Sequence, residues 1–332
     1  MTRFAASRPP SALSSVERTL RRNQGALFAA AALIVLLVIY QAQAGRILTP
    51  IQVRILLNGS LSLVWAALGM TFVVVVGGLD LSVGSVISLA NVLAATLLAG
   101  SLSDPVVLVA ILVIGGLTGL LNGLLVAVAR IQSIIVTLAA MFIWSGVALL
   151  IMPQPGGVIP GYLGDLFGGS ITPQLPASLV WIVAIAVVIG IFRWSPAWNA
   201  VFAVGGDEAN ARRSGIRAMR VKLAAYTAAG ICYALAGLFL SAQSTGGDAN
   251  IGTPFLLTAF AAVVVGGTPL GGGRGTFLGS ILGALIMSTL GSVLLALGVT
   301  SYMTDVVEGS VLIVAVVAPA LVGRVTASRT IR

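Results

Sequence analysis

Charged residues divide the sequence into long uncharged stretches of mostly apolar residues. Twenty-three uncharged residues separate Arg22 from Arg46, and 25 separate Arg54 from Asp80. Because a helix needs about 20 consecutive apolar residues to span a bilayer, each stretch is long enough for one span. The pattern predicts an all-α, polytopic integral membrane protein with about ten transmembrane helices. Their centres lie near Ala32, Gly69, Val92, Thr118, Phe142, Ile185, Ala234, Phe260, Leu285 and Val314.

The basic residues predict how the chain is oriented in the membrane. Threading ten spans from a cytoplasmic N-terminus places 16 of the 18 Lys and Arg residues on the cytoplasmic side, where such residues accumulate. Arg46 and Arg54 are the two that remain outside. We therefore expect both termini of the chain in the cytoplasm.

This threading predicts a single transmembrane domain over residues 23–323. A basic cytoplasmic tail over residues 1–22 precedes it, and a second cytoplasmic tail over residues 324–332 follows it. Two connections are long: an external loop rich in Pro and Gly over about 153–176, and a polar cytoplasmic loop over about 195–222. The external loop is either a platform for a partner, with Arg46 and Arg54 beside it, or a passive connector.

The N-terminus also has features of a signal peptide. An apolar segment, Gly25–Tyr40, is followed by Ala42-Gln43-Ala44, which resembles a cleavage site. The basic lead of 22 residues is long for a signal peptide, and cleavage would place the two chain ends on opposite faces. An uncleaved first span is therefore the favoured interpretation.

Composition excludes several classes of protein. Charged residues are 8% of the chain and hydrophobic residues 58%, with a mean hydropathy of +1.09; neither a soluble globule nor a disordered chain has this balance. The net charge of +9 comes from too few residues to form a nucleic-acid interface, so we expect membrane lipid and no nucleic acid as a partner. The chain has no His and a single Cys, Cys232, which argues against a metal centre or a disulfide framework.

The sequence also contains no site for ATP. A Walker A loop needs a Gly-Lys-Ser/Thr ending, and the only lysine, Lys222, lies between Val221 and Leu223. We therefore expect no cofactor on this chain and no enzymatic activity. Any ATP and magnesium must be bound by a partner subunit.

Asp80 is a carboxylate between two long apolar runs, flanked by glycines. Its side chain either caps the third predicted helix, which is the favoured interpretation, or marks a functional site near membrane depth. The preceding Val73–Gly78 resembles Val263–Gly267, and each is followed by a Gly-rich turn and another apolar run. This similarity reflects either an internal repeat or the abundance of Val and Gly in the chain.

The polar cytoplasmic loop contains a predicted short helix. Asp207 can cap its first turn, Glu208 and Arg212 are spaced to form an i,i+4 ion pair, and Gly215 can end it. A helix this short is unstable alone in water. It therefore either packs on the membrane domain or docks on another protein, unless the segment is an ordinary basic loop.

Several segments together resemble one known family. They are Asn122-Gly123, Ile134–Leu138, Ala203–Ile216, Val265–Thr276 and Gly77–Leu93, which reads GGLDLSVGSVISLANVL. Taken together in their order along the chain, these segments resemble the membrane subunits of bacterial ABC importers for ribose, xylose, galactofuranose and similar sugars. The resemblance covers roughly residues 25–322. Two departures are Ile131-Gln132-Ser133, where the family commonly has a Pro-containing turn, and Asp207, where it commonly has Asn.

The resemblance implies a permease in the bacterial inner membrane that translocates a monosaccharide of the pentose or hexose type. It implies a second permease copy, identical or similar, a cytoplasmic ABC ATPase subunit that binds the ATP and magnesium, and a periplasmic sugar-binding protein. The short cytoplasmic helix then resembles the segment that couples the permease to the ATPase. Its residues are Asp207, Glu208, Ala209, Ala211, Arg212, Arg213 and Gly215.

For the sugar path, the candidates are polar or aromatic side chains on or beside predicted spans. Hydrogen bonds and aromatic faces suit sugar hydroxyls and sugar rings, but for each residue taken singly helix–helix hydrogen bonding and packing is the favoured explanation. The candidates are Trp65, Phe72, Asp80, Asn91, Asn122, Thr137 and Trp144.

Two alternatives remain for the transported solute and the driving force. An ion-coupled secondary transporter needs intramembrane ionisable groups, for which Asp80 is the one candidate. An ABC permease for a non-sugar small polar solute fits the composition equally well.

Overall fold

The computed structural model describes residues 24–44, 49–172 and 175–330, and this part of the chain is mostly helical. Thirteen helices and one two-stranded hairpin follow one another in the described residues. The helices are α1 (Gln24–Ala44), α2 (Pro50–Val75), α3 (Val83–Leu97), α4 (Asp104–Ala127), α5 (Ser133–Ile151), α6 (Gly161–Gly168), α7 (Ala177–Phe192), α8 (Pro196–Gly206), α9 (Glu208–Arg213), α10 (Ala218–Ser244), α11 (Phe255–Val265), α12 (Phe277–Ala296) and α13 (Ser301–Thr330). Strands β1 (Ser170–Thr172) and β2 (Leu175–Pro176) pair antiparallel between α6 and α7.

The helices confirm a multi-pass membrane protein. Five of them, α2, α4, α5, α10 and α12, are long and apolar enough to cross a membrane. A sixth candidate span is the pair α7 and α8, which is bent by 80° at the break between the two helices. Shorter apolar helices lie within α1 and at α3 and α11. All ten predicted centres fall inside helices, while the number ten stays a prediction.

Helix α10 lies at the centre of the packing, against α2, α3 and α4. Small residues permit its close approach to α4, where Gly115 and Gly119 face Tyr226 and Gly230. A Cβ atom on Gly119 would overlap the carbonyl oxygen of Tyr226, and one on Gly230 would overlap that of Gly115. Glycines four residues apart allow two helix backbones to meet at close range in a membrane.

The predicted external loop is folded and tied to the helices. Gly156 pairs with Gly247 in an antiparallel bridge, and the Ile159 amide donates to the carbonyl of Thr245 at 3.2 Å. On α6, the Tyr162 hydroxyl donates to Asp104 at 2.6 Å. Desolvation first and the Asp104 carboxylate second raise the pKa of the Tyr162 hydroxyl to about 12, and the bond ties α6 to the start of α4.

Two predicted boundaries fall at the edges of the described residues. The tail predicted over residues 1–22 lies outside them, as does Arg46. The tail predicted over residues 324–332 begins inside α13, which continues to Thr330; residues 331–332 lie outside. The predicted loop over 195–222 contains α8, α9 and the first turn of α10 rather than unstructured chain.

Candidate functional site

The predicted short helix is present as α9, with the predicted cap and ion pair. The Asp207 carboxylate accepts a hydrogen bond from the backbone amide of Asn210 at 2.9 Å, and the Arg212 guanidinium donates to Glu208 at 2.5 Å. Gly215 adopts a φ of +83°, which ends the helix in the left-handed region that glycine favours. Local signals in the sequence therefore define both ends of α9.

Glu208 has a second partner, Lys222, whose ammonium group lies 2.5 Å from the carboxylate. Sequence reasoning missed this contact because Lys222 lies 14 residues further on, in the first turns of α10. The hydrogen bond from Lys222 is the main cause that holds the pKa of Glu208 below its usual range, with Arg212 contributing less. Glu208 is therefore ionised near neutral pH, and the double ion pair fixes α9 against α10.

The two alanines of the predicted coupling segment face different ways on α9. Ala211 is 4% exposed and packs against Val204 and Ala218, so it anchors α9 to the rest of the chain. Ala209 is exposed, as is Arg213. Within α9, a partner can reach Ala209 and Arg213 but not the side chain of Ala211.

Three chain segments converge on glycines directly beside α9. We call this the glycine junction: Gly77 after α2, Gly205 and Gly206 at the end of α8, and Gly272 and Gly273 between α11 and α12.

Contacts in the glycine junction are between backbones. The Gly273 amide donates to the carbonyl of Val75 at 2.9 Å. A Cβ atom on Gly205 would overlap the Val75 carbonyl oxygen and lie 2.7 Å from the Gly273 nitrogen. The end of α8 is therefore in direct backbone contact with the end of α2 and with the α11–α12 connection.

Helices α2 and α11 end in the same way, which gives the similarity of Val73–Gly78 and Val263–Gly267 a structural basis. Gly77 and Gly267 have φ angles of +83° and +85°. The next residue in each case, Gly78 or Thr268, donates back five residues, at 2.9 Å to Val73 and at 3.1 Å to Val263. These are Schellman-type helix ends, and the one at the end of α2 includes Gly77 of the glycine junction.

Asp80 is buried, with 1% exposure, and its side chain binds the N-cap residue of α3, Ser82, rather than an amide within the helix. Its carboxylate accepts from the amide of Ser82 at 2.9 Å and from the Ser82 hydroxyl at 2.6 Å. Ser82 in turn accepts from the Asn122 side chain at 3.1 Å. Thr137 joins from α5 by donating to the carbonyl of Leu79 at 3.3 Å. Asp80, Asn122 and Thr137 therefore hold the α2–α3 connection together.

The other sugar-path candidates lie elsewhere. The Asn91 amide donates to Ser241 at 2.8 Å and accepts from the Asp248 amide at 2.8 Å, which ties α3 to the end of α10. Trp65 and Trp144 are partly buried against the core, and Phe72 packs on Phe277 with ring centroids 4.6 Å apart. Among the described residues, none of the seven candidates lines either of two cavities, one beside α9 and one between α2, α6, α10 and α12.

One of these cavities, here the Asn58 cavity, has a volume of about 440 Å³ between α2, α6, α10 and α12. Polar groups of Asn58, Gln243 and Ser292 lie beside the rings of Phe167 and Phe239. The Asn58 side chain donates to the carbonyl of Gly168 at 2.9 Å, and Gln243 donates to the Asn58 carbonyl at 3.0 Å. Sequence reasoning missed these residues because four distant segments supply them, none with a motif.

Metal-binding groups do not cluster in the part of the chain that the structure describes: no three His, Cys, Asp or Glu residues lie close enough together to hold a metal ion. Cys232 is buried and has a free thiol.

Comparison with known proteins identifies the family. The family described as "Branched-chain amino acid transport system / permease component" matches residues 53–316. The chain is 35% identical over 256 residues to the ribose import permease protein RbsC of Escherichia coli (strain K12), covering 75% of this chain and 79% of that protein. It is also 35% identical over 284 residues to the galactofuranose transporter permease protein YtfT of the same strain, covering 82% and 80%.

A third relative covers still more of both chains. The galactose/methyl galactoside import permease protein MglC of Haemophilus influenzae is 32% identical over 305 residues, covering 86% of this chain and 90% of that protein. No solved structure matches the chain. The chain therefore belongs to this family of transport-system permease components, as a multi-pass membrane protein.

Proposed function

We propose that the chain is the membrane-spanning permease subunit of an ABC importer for a monosaccharide of the pentose or hexose type. The observation that carries this proposal is the match to ribose, galactofuranose and galactose permeases over about four-fifths or more of their own lengths. Uptake of a panel of radiolabelled pentoses and hexoses by cells lacking only this chain tests it. Loss of uptake of one sugar, restored by the gene, is the expected result.

A second candidate is the import of a branched-chain amino acid, because the family description names that substrate. The lining of the Asn58 cavity favours a sugar. In the described residues it contains amides, a hydroxyl and aromatic rings but no charged side chain. An amino acid carries an ammonium and a carboxylate that need charged or strongly polar partners away from water, whereas sugar hydroxyls pair with neutral amides.

ATP and magnesium are bound by the cytoplasmic ABC ATPase partner in this proposal, and the permease performs no covalent chemistry. The exposed face of α9, with Ala209 and Arg213, docks on the ATPase. Closure of the ATPase moves α9, and the glycine junction passes this movement to the α2–α3 and α11–α12 connections. Those connections begin the helices that rearrange around the sugar.

A large side chain introduced on the exposed face of α9 tests whether this face docks on the ATPase. Ala209→Trp is expected to abolish co-purification of the ATPase, because a large side chain prevents close packing at an interface. Met219→Trp is the matched control, since Met219 is also exposed but lies on α10. Membrane insertion should be normal in both variants. Normal assembly of Ala209→Trp with the ATPase would show that α9 has no docking role.

We further propose ten spans in the bacterial inner membrane with both termini in the cytoplasm. The 16-to-2 distribution of basic residues supports this topology. In a Cys232→Ser background, single cysteines at positions 11 and 328 should react with an impermeant maleimide only after the cells are opened. Labelling of either position from outside intact cells contradicts the topology.

The other proposed partners are a second permease copy, membrane lipid and a periplasmic sugar-binding protein that docks on the external loop. The fold of this loop supports a docking platform, because its α6 and hairpin are held by contacts to the helices. Arg54 is one of these contacts and donates to Ser170 at 3.1 Å.

The Asn58 cavity is the proposed contact site for the sugar, and filling it is expected to lower uptake. Gly59 lines the cavity, and a Cβ atom there would meet only Ser288, at 3.7 Å. Gly59→Leu should reduce sugar uptake about tenfold or more, since two or three hydrogen bonds of about 1 kcal/mol each would be lost. Gly146→Leu is the control, because a Cβ atom on Gly146 meets nothing within 4 Å. Equal uptake by the two variants rules out this site.

A further inference from the structure

A second cavity lies beside α9, and Glu208 and its ion-pair partners Arg212 and Lys222 are among the residues that line it. This cavity, here the Tyr226 cavity, has a volume of about 500 Å³. Its walls come from the α2–α3 connection, the end of α4, the segment before α5, helix α9 and the start of α10. The cavity is therefore bounded by the proposed coupling helix, α9, and by Gly77 of the glycine junction.

Positive charge predominates among the residues that line the Tyr226 cavity. Arg130, Arg212 and Lys222 contribute three cations, against the one carboxylate of Glu208. Glu208 pairs with Arg212 and Lys222, while Arg130 forms no ion pair within the described residues. Arg130 also has a φ of +58°, a conformation that residues other than glycine rarely adopt. The cavity thus has a net charge of +2 from these side chains.

Two further groups in the Tyr226 cavity can donate hydrogen bonds to an anion. Tyr226 is fully buried, and its hydroxyl has no hydrogen-bond partner among the described residues. The 19-residue helix α5 begins at Ser133 on the cavity wall, and in the described structure no side chain caps its N-terminus. An uncapped helix N-terminus directs free amide groups and partial positive charge toward an anion.

We propose that the Tyr226 cavity binds a phosphate monoester and that this ligand inhibits coupling between ATP hydrolysis and transport. The inhibitory role rests on the function proposed above. A phosphate group binds guanidinium and ammonium groups strongly, so it competes with Glu208 for Arg212 and Lys222. Loss of the Glu208 ion pairs frees α9 from α10. The volume leaves room for a small polyol attached to the phosphate.

Phosphate monoesters reach this cavity from two sources: a soluble phosphorylated sugar and the headgroup of phosphatidic acid. Ribose 5-phosphate is the soluble probe, with ribose as the probe that lacks the phosphate. Binding is measured by calorimetry on the permease alone in nanodiscs of phosphatidylcholine, and again with phosphatidic acid added. If phosphatidic acid lowers the apparent affinity for ribose 5-phosphate, the lipid headgroup is a ligand of the cavity. If the affinity for ribose 5-phosphate is unchanged by phosphatidic acid, the soluble ester is the ligand.

Arg130→Gln is the test variant, because Arg130 lies outside α9 and has no role in the proposed docking surface. Its affinity for ribose 5-phosphate should fall about tenfold, as expected for the loss of one charge-assisted hydrogen bond of about 1.5 kcal/mol. Tyr226→Phe should also bind more weakly. Arg193→Gln is the matched control: Arg193 is an exposed arginine at the end of α7 and does not line the cavity.

The functional readout uses the complete complex of permease, ATPase and binding protein. Ribose 5-phosphate should suppress sugar-stimulated ATP hydrolysis in the wild type and in Arg193→Gln, but not in Arg130→Gln. Without the ester, all three should turn over equally. Absence of binding in the wild type, or equal binding by Arg130→Gln, overturns the proposed site. If sugar does not stimulate ATP hydrolysis by the wild-type complex, the proposed function is contradicted. The calorimetric binding of ribose 5-phosphate then still tests the proposed site independently.

Discussion

Replacing Gly205 with alanine is expected to uncouple ATP hydrolysis from sugar uptake. The new Cβ atom would overlap the carbonyl oxygen of Val75 and displace the Gly273 amide that donates to it. Overpacking of this kind costs about 1–3 kcal/mol, and a tenfold change corresponds to about 1.4 kcal/mol. We expect uptake per ATP hydrolysed to fall about tenfold in proteoliposomes, because the distorted junction no longer passes the movement of α8 to α2, while the ATPase remains bound.

Gly206→Ala is the matched control for this variant. A Cβ atom on Gly206 would meet Gly273 Cα at 3.8 Å, an ordinary contact. The two glycines are adjacent on α8, so both substitutions change its helix propensity alike. Equal coupling in the two variants would contradict transmission through the glycine junction.

Replacing Gly119 with alanine is expected to destabilise the whole helical core. The added methyl group would overlap the carbonyl oxygen of Tyr226, and backbone atoms cannot move aside as a flexible side chain can. The expected loss is about 1–3 kcal/mol of folding free energy, seen as a lower midpoint of thermal aggregation in detergent.

Gly146→Ala is the control, and we expect it to raise the folding stability rather than lower it. Its Cβ atom would meet nothing within 4 Å, and alanine is favoured over glycine in a helix interior by about 0.5–1 kcal/mol. A midpoint for Gly119→Ala at or above that of Gly146→Ala would contradict the close packing of α4 on α10.

Features that depend on neighbours in the sequence were predictable. The cap at Asp207, the pair Glu208–Arg212 and the stop at Gly215 all lie within nine residues, and α9 has them as expected. The apolar runs likewise predicted where the helices lie, because the bilayer imposes a length on each span.

Features that depend on tertiary packing were not predictable. Lys222 reaches Glu208 because α10 returns beside α9, and no local pattern encodes that return. Asp80 is buried, because Ser82 satisfies its carboxylate and Asn122 supports Ser82, and the contact with Asn122 joins residues 40 positions apart. The Asn58 cavity draws on residues from position 55 to position 292, so no sequence window contains it.

Uptake into proteoliposomes tests the proposed function most directly. The liposomes contain the permease with its ATPase, the binding protein is supplied on the opposite face from the ATPase, and the solutes are radiolabelled ribose, galactose and leucine. We predict that ribose or galactose accumulates only when ATP is present on the ATPase side, and that leucine does not accumulate. Accumulation of leucine alone, or sugar uptake that persists without ATP and without the ATPase, would contradict an ATP-driven monosaccharide permease.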